Sequence, residues 1–225
     1  MIPLAKTDEP QVLADNSAAW TKVLVDKLSN GEKPTDAEKS KYRHPDIKLA
    51  LVIETSNKCA YCESKLQHIH HGDVEHIAPK SLDISKILLW NNLTLACEVC
   101  NQNKSNLDPH ANLIIDPYTT NPRHHLTFQG SFVFALGTPP GQSTVAILDL
   151  GRPALVEERG ERLKYLMGIF ENVLRTDLPL AARRAIYKNL VQREATPDKA
   201  FSAMAEDVIT AMVAHVPTAV RTGIR

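Results

Sequence analysis

The sequence predicts an α+β fold, in which a small core of short strands with a metal site lies between helical regions. All four cysteines lie in residues 57–108, where the helical spacing of apolar residues is interrupted. Residues 126–149 have the composition of strands, and apolar residues at helical spacing occur before and after the centre of the chain. With 225 residues, of which 43% are hydrophobic and 23% charged, the chain is long enough to bury a core.

The N-terminal region, residues 1–56, is predicted to be helical. Residues 10–30 carry five apolar side chains roughly at helical spacing, and Gly31 follows them: Leu13, Trp20, Val23, Leu24 and Leu28. His44-Pro45 suits the start of a second helix, because proline is favoured at the first helical position. We expect the apolar faces of these helices to pack in the core.

The second half of the central region, residues 57–150, is predicted to form strands and a β-hairpin. Three segments have the residue types of strands: 126–128, 131–136 and 143–150. Pro139-Pro140-Gly141 is typical of a turn and lies between the last two of them.

The C-terminal region, residues 151–225, is predicted to be helical again. Apolar residues from Leu163 to Leu174 recur at helical spacing, and residues 180–191 indicate a second helix. Thr196-Pro197 is typical of a helix start, and apolar residues from Phe201 to Met212 would form the buried face of that third helix.

The four cysteines form two pairs, Cys59-Ala-Tyr-Cys62 and Cys97-Glu-Val-Cys100. Each pair can present two thiolates from one tight turn, and two such turns make a tetrahedral site for Zn²⁺. A site with four protein ligands has no open position, so we interpret it as structural zinc. The alternative is a set of buried or redox-active cysteines. A disulfide is disfavoured because we expect a cytoplasmic protein, whose thiols stay reduced.

Three segments between and beside the cysteines carry a recognisable pattern. They are His71-Gly-Asp-Val-Glu-His-Ile-Ala-Pro-Lys80, Trp90-Asn-Asn-Leu-Thr-Leu-Ala-Cys97 and Cys100-Asn-Gln-Asn-Lys104. In order and spacing they resemble the HNH nucleases, which have the ββα-metal fold. Over about 42–160, the chain is also similar to the HNH components of Septu and retron-type anti-phage systems, on motifs such as Tyr42-Arg-His-Pro45 and Leu148-Asp-Leu-Gly-Arg152.

The resemblance implies a role for four residues of the pattern. His76 corresponds to the general base, and Glu75 and Asn101 correspond to ligands of the catalytic metal. Many HNH members have Asp and His at these two ligand positions, so the departure bears mainly on which metal binds. Asn92 corresponds to the central asparagine that braces the loop between the strands.

These residue types also suit the chemistry without the resemblance. A histidine with an ordinary pKa can deprotonate water near neutral pH. A carboxylate and an amide oxygen are hard ligands that suit Mg²⁺ or Mn²⁺. Neighbouring strand residues point to opposite faces, so we expect the strand to end at Glu75-His76, and Pro79 supports this.

Other polar residues near the motif have more than one interpretation. Lys104 lies on the same helix face as Asn101, and either a catalytic contact with a phosphate or a solvated side chain is open. Five further histidines are interpreted as surface or strand residues: His68, His70, His71, His124 and His125.

The function predicted is endonucleolytic cleavage of DNA or RNA, as the nuclease of an anti-phage system. The resemblance implies an ABC-type or SMC-like ATPase as partner. The alternative is a zinc-ribbon-like module that binds nucleic acid or protein without catalysis. A zinc deaminase is excluded, because the chain contains neither His-x-Glu nor Pro-Cys-x-x-Cys.

The charge distribution predicts where phosphate contacts arise. The chain has 26 basic and 26 acidic residues, and residues 43–125 hold no basic excess. We therefore expect the C-terminal helices or a partner to contact phosphates. The chain has no apolar run of about 18 residues and no signal-peptide pattern at its start, so we expect neither a membrane span nor export from the cytoplasm.

Overall fold

The computed structural model describes residues 1–66 and 72–222. Helix α1 spans Gln11–Ser29, α2 spans Asp36–Lys39 and α3 spans Pro45–Glu54. As predicted, Pro45 occupies the first turn of α3, and the His44 side chain accepts a hydrogen bond from Asp46 N. The predicted packing in the core is confirmed for Leu13 and Leu24 of α1 and for the inner face of α3, but it is wrong for Val23 and Leu28, which are exposed.

The centre of the chain contains a two-stranded sheet followed by a helix. Strand β1, Asp73–His76, pairs antiparallel with β2, Leu93–Ala96. The register places Asp73 opposite Ala96 and His76 opposite Leu93. Helix α4, Glu98–Lys104, begins directly after β2, and the short helix α5 spans Pro109–Asn112. Strand β1 therefore ends at His76, as predicted.

Strands β3, Leu126–Gln129, and β4, Phe132–Ala135, form a hairpin, but its turn lies at residues 130–131 and not at the predicted Pro139-Pro140-Gly141. The predicted strand 143–150 is wrong, because Pro139–Ile147 forms helix α6. Two prolines occupy its first turn, where their restricted φ favours a helix, and Thr138 Oγ1 accepts a hydrogen bond from Gly141 N. These start signals outweigh the β-branched residues that follow.

The C-terminal region forms helices α7, Pro153–Leu174, α8, Leu180–Arg193, α9, Ser202–Val213, and α10, Thr218–Arg221. The predicted helix start at Thr196 is wrong. The Thr196 hydroxyl donates to the carbonyl of Arg193 at the end of α8, and Lys199 N donates to Thr196 O to close a turn. Phe201 has a φ of 52° and separates this turn from α9.

One cluster of buried side chains runs through the N-terminal, central and C-terminal regions. Leu24 of α1, Leu93 of β2 and Phe170 of α7 belong to it. Helix α9 packs on β3, and α7 packs on α8 and α9. Within the described ranges, no helix is both long and apolar enough to cross a membrane.

Candidate active site and four-cysteine centre

The four cysteine sulfurs lie together between two knuckles, which are the turns that carry Cys59/Cys62 and Cys97/Cys100. All four Sγ atoms are within 4.8 Å of one another, and those of Cys62 and Cys97 are 3.8 Å apart. A Zn–S bond of about 2.3 Å places the corners of a tetrahedron about 3.8 Å apart. The cysteine cluster therefore fits a metal held by four thiolates.

Local backbone geometry positions each cysteine pair. In the first knuckle, Cys59 N donates to Ser64 O at 3.0 Å, and Ala60 N donates to Leu95 O of β2 at 2.9 Å. In the second, Cys97 caps α4 and its sulfur accepts from Cys100 N at 3.4 Å. Hydrogen bonds from Cys100, Cys59 and Cys97 hold the pKa of the Cys62 thiol well below its usual range.

His76, at the end of β1, is buried against Tyr42. The two rings meet edge-to-face, with their centroids 4.6 Å apart. His76 Nε2 lies 3.0 Å from the carbonyl oxygen of Ile87. A carbonyl only accepts hydrogen bonds, so Nε2 carries the proton and Nδ1 has a free lone pair. Burial lowers the pKa of His76 to about 4, and the Ile87 carbonyl partly opposes this. The imidazole is therefore neutral at pH 7, and the expectation of an ordinary pKa for this histidine is wrong.

Glu75 is also buried, and its charge is balanced by Lys104 of α4. Lys104 Nζ lies 2.9 Å from Glu75 Oε1 and donates to His76 O at 3.0 Å. Oε1 is nevertheless without a well-directed hydrogen bond from any described residue. Burial raises the pKa of Glu75, and the Lys104 ammonium opposes this. Lys104 is fully buried and does not line the cavity, so neither a solvated side chain nor the predicted contact with a phosphate fits its position.

Asn101, in the first part of α4, faces the same space as Glu75 and His76. Its Nδ2 donates to Asp73 Oδ2 at 3.1 Å. These four residues, Asp73, Glu75, His76 and Asn101, line a cavity of about 310 Å³. The sequence pattern predicted that three of them act together. It attached no role to Asp73, which lies two residues before Glu75.

Comparison with known proteins agrees with this geometry. Residues 59–107 match the family model of the HNH endonuclease, and they include both cysteine pairs and the cavity residues from Asp73 to Asn101. The chain carries an HNH domain. The match begins at Cys59 and ends at residue 107, so both terminal helical regions lie outside the domain.

The chain is also homologous to two bacterial proteins over most of its length. It is 32% identical to Septu protein PtuB of Bacillus thuringiensis over 155 residues, which cover 68% of this chain and 55% of the relative. It is 27% identical to Septu protein PtuB of Bacillus mycoides (strain KBAB4) over 199 residues, covering 73% and 68%. The chain thus spans just over half of the first relative and about two thirds of the second.

Three basic residues complete the cavity wall, and two of them come from outside the HNH domain. Arg43 and Lys48 come from the N-terminal region, and Lys80 follows β1. Lys80 Nζ donates to the Tyr42 hydroxyl at 2.7 Å, and none of the three basic side chains forms an ion pair with a described residue. The charge count placed phosphate contacts on the later helices or a partner, whereas the structure also places three basic residues at the cavity. A count of charges along the chain could not reveal that these residues meet at the cavity, although Tyr42-Arg43 belonged to a motif quoted for the resemblance.

Asn92, also in the HNH domain, holds the loop between β1 and β2. Its Oδ1 accepts from Ala78 N at 2.7 Å, and its Nδ2 donates to Ala78 O and Lys86 O at 3.0 and 3.1 Å. The bracing role that the resemblance implied for Asn92 agrees with these bonds. It acts on the loop and does not line the cavity.

The remaining histidines stand apart from the cavity or outside the described residues. His68, His70 and His71 belong to the second group. His124 is exposed, and His125 Nδ1 lies 2.8 Å from Thr138 Oγ1 near the start of α6. Neither lines the cavity.

Arg152, beyond the HNH domain, contacts the cysteine centre. Its Nη2 lies 3.9 Å from Cys97 Sγ and 3.8 Å from Cys100 Sγ. Its Nη1 donates to the carbonyls of Leu148 and Asp149. Arg152 ended a motif quoted for the resemblance, but nothing in the sequence connected it with the cysteines.

Proposed function

We propose that this chain is a metal-dependent HNH endonuclease that hydrolyses phosphodiester bonds of DNA or RNA. The observation that carries the proposal is the cavity, where a neutral histidine lies beside a carboxylate, an amide and three cations that form no ion pair with a described residue. A polyanionic substrate fits the cations, and the histidine fits the activation of water. Strands β1 and β2 with α4 would form the ββα-metal unit of this nuclease.

Glu75 and Asn101 would hold the catalytic Mg²⁺ or Mn²⁺. Glu75 lines the cavity, and its buried Oε1 meets the Lys104 ammonium at 2.9 Å without a well-directed hydrogen bond, so the carboxylate keeps coordinating capacity for a metal ion. The oxygen donors of both side chains are hard ligands that match these ions. When bound, the cation supplies positive charge to the scissile phosphate and the leaving oxygen.

The protein residues supply the proton transfer and the orientation. His76 Nδ1 accepts a proton from the attacking water, while Ile87 O holds the ring by the opposite nitrogen. The same carbonyl stabilises the imidazolium that results, which offsets part of the cost of its burial. Arg43, Lys48 and Lys80 would bind phosphates beside the cut, and Asn92 would keep the loop that carries Ile87 in place.

We assign the four cysteines to one structural Zn²⁺. In a zinc domain of this size such a site contributes on the order of 10 kcal/mol to folding. The zinc would join the segment before β1, which holds Cys59 and Cys62, to the start of α4, the helix that carries Asn101. The zinc would thus fix one half of the catalytic site relative to the other.

The homology to Septu PtuB supports a role as a nuclease in anti-phage defence. We propose that it acts in the cytoplasm with an ABC-type or SMC-like ATPase, which docks on the terminal helices outside the HNH domain. The isolated chain would then cleave slowly. A comparison of cleavage rates with and without the ATPase tests this part, and rapid cleavage by the chain alone would count against it.

The central experiment measures cleavage of single- and double-stranded DNA and RNA by zinc-loaded protein, with and without added Mg²⁺ or Mn²⁺. His76→Ala should abolish cleavage at unchanged zinc content, while His124→Ala, at an exposed histidine outside the cavity, should retain it. Full activity of His76→Ala would rule out the base assignment. Binding without cleavage by the unmodified protein under every condition would favour the binding-module alternative.

A further inference from the structure

The hydrogen bond between Asp73 and Asn101 links the first residue of β1 to α4. Asp73 pairs with Ala96 in the sheet, and Ala96 directly precedes Cys97, the cysteine that caps α4. Asn101 N donates to Cys97 O, so the backbone of the helix is fixed at this point. Both side chains are half-buried in the cavity wall. The contact is thus built between two rigid elements.

An asparagine amide has two ends of nearly equal size and opposite polarity. Only Oδ1 can bind a cation, whereas Nδ2 can only donate. An ionised carboxylate only accepts, so Asp73 attracts Nδ2 and would repel Oδ1 in the reversed amide. Asn101 Oδ1 accepts no hydrogen bond from any other described side chain or backbone group, and it remains available as a ligand.

We propose that Asp73 is a positioning residue, which selects the orientation of the Asn101 amide that leaves Oδ1 free for the catalytic cation. This rests on the proposed function, because it requires Asn101 to be a metal ligand. Asp73 also shares a strand face with Glu75, two residues later, which explains how one strand can provide both a ligand and the orienting group. The alternative, in which Asp73 itself binds the cation, predicts a different pattern of variants.

The test is Mn²⁺ binding to the zinc-loaded full chain without nucleic acid, measured by calorimetry or by electron paramagnetic resonance. Asp73→Asn keeps the shape of the side chain, but its amide can donate to Asn101 as well as accept. We expect the Kd for Mn²⁺ to rise on the order of 10-fold, as for other groups that orient metal ligands. Asp177→Asn, at an exposed carboxylate of the C-terminal region, is the control and should bind as the unmodified protein does.

A double-variant cycle separates orientation from direct binding. In an Asn101→Ala background there is no amide to orient, so Asp73→Asn should cause no further loss of affinity. A further loss there would mean that Asp73 acts directly on the cation, and would overturn the proposal. If Asn101→Ala weakens Mn²⁺ binding but Asp73→Asn does not, only the positioning role fails. If Asn101→Ala has no effect, the ligand assignment of the proposed function fails with it.

Discussion

The guanidinium of Arg152 lies 3.8 Å from the sulfur of Cys100, although Arg152 is outside the HNH domain. Zinc bound by four thiolates carries two net negative charges, and this arginine supplies a positive charge beside two of the sulfurs. A residue outside the HNH domain therefore forms part of the surroundings of its four cysteines.

Replacing Arg152 should loosen the zinc without removing a ligand. We expect Arg152→Gln to raise the rate of zinc transfer to a competing chelator on the order of 10-fold, as for other groups around metal ligands. Arg175→Gln, at an exposed arginine paired with Asp177, is the control. Cys59→Ser, which removes a ligand, should lose zinc and fold together. Zinc transfer at the unmodified rate in Arg152→Gln would contradict this role.

Replacing Lys104 should expose the cost of the buried charge on Glu75. Lys104→Met preserves much of the volume but leaves the carboxylate without its ion pair, and such losses cost about 3–5 kcal/mol. We expect this decrease in the free energy of unfolding by denaturant, measured without added Mg²⁺. Adding Glu75→Gln should recover part of it. Lys188→Met, at an exposed position, should change stability by about 0.5 kcal/mol or less, and an equal effect at both lysines would contradict the ion pair.

The basic residues of the cavity wall should determine the salt dependence of nucleic-acid binding. Each phosphate contact that is lost lowers the slope of log Kd against log salt by about one. We expect this for Arg43→Gln, Lys48→Gln and Lys80→Gln, measured by anisotropy of a labelled oligonucleotide in the His76→Ala background. Lys33→Gln, at an exposed lysine away from the cavity, should keep the slope. Unchanged slopes in all three cavity variants would exclude them as phosphate contacts.

The low pKa of His76 predicts how stability depends on pH. A histidine titrates near 6.5 when unfolded, and burial lowers the pKa of His76 to about 4 in the folded chain. Between these values the unfolded state binds more protons, so stability decreases as the pH falls from 6.5 to 4, by up to about 1.4 kcal/mol per pH unit.

The measurement is denaturant unfolding across this pH range, without added Mg²⁺ or Mn²⁺. His76→Gln can still donate to the Ile87 carbonyl but cannot be protonated, so its stability should fall less steeply than that of the unmodified protein. His124→Gln, at an exposed site, should follow the unmodified protein. Parallel pH profiles for all three proteins would mean that His76 is protonated as readily in the folded state as in the unfolded state.

The sequence by itself determined the parts of this protein that depend on near neighbours. Two closely spaced cysteine pairs, a proline at the start of α3 and the end of β1 at His76 are local features, and all are present in the structure. Local signals failed where two of them competed. Residues 143–147 have strand-forming types, but they follow Thr138 and two prolines that start helix α6. The Thr196 hydroxyl donates to the last turn of α8, and Thr196 does not start the next helix.

The tertiary structure alone decided how charged groups far apart in the chain meet. It buries Lys104 against Glu75, brings Arg152 to the cysteines and gathers Arg43, Lys48 and Lys80 around His76. A residue type states which charge or hydrogen bond is available, and the sequence contains that information. Whether that group meets a partner, water or a ligand depends on distances of a few ångströms, which are determined by the packing of helices and strands around one shared core.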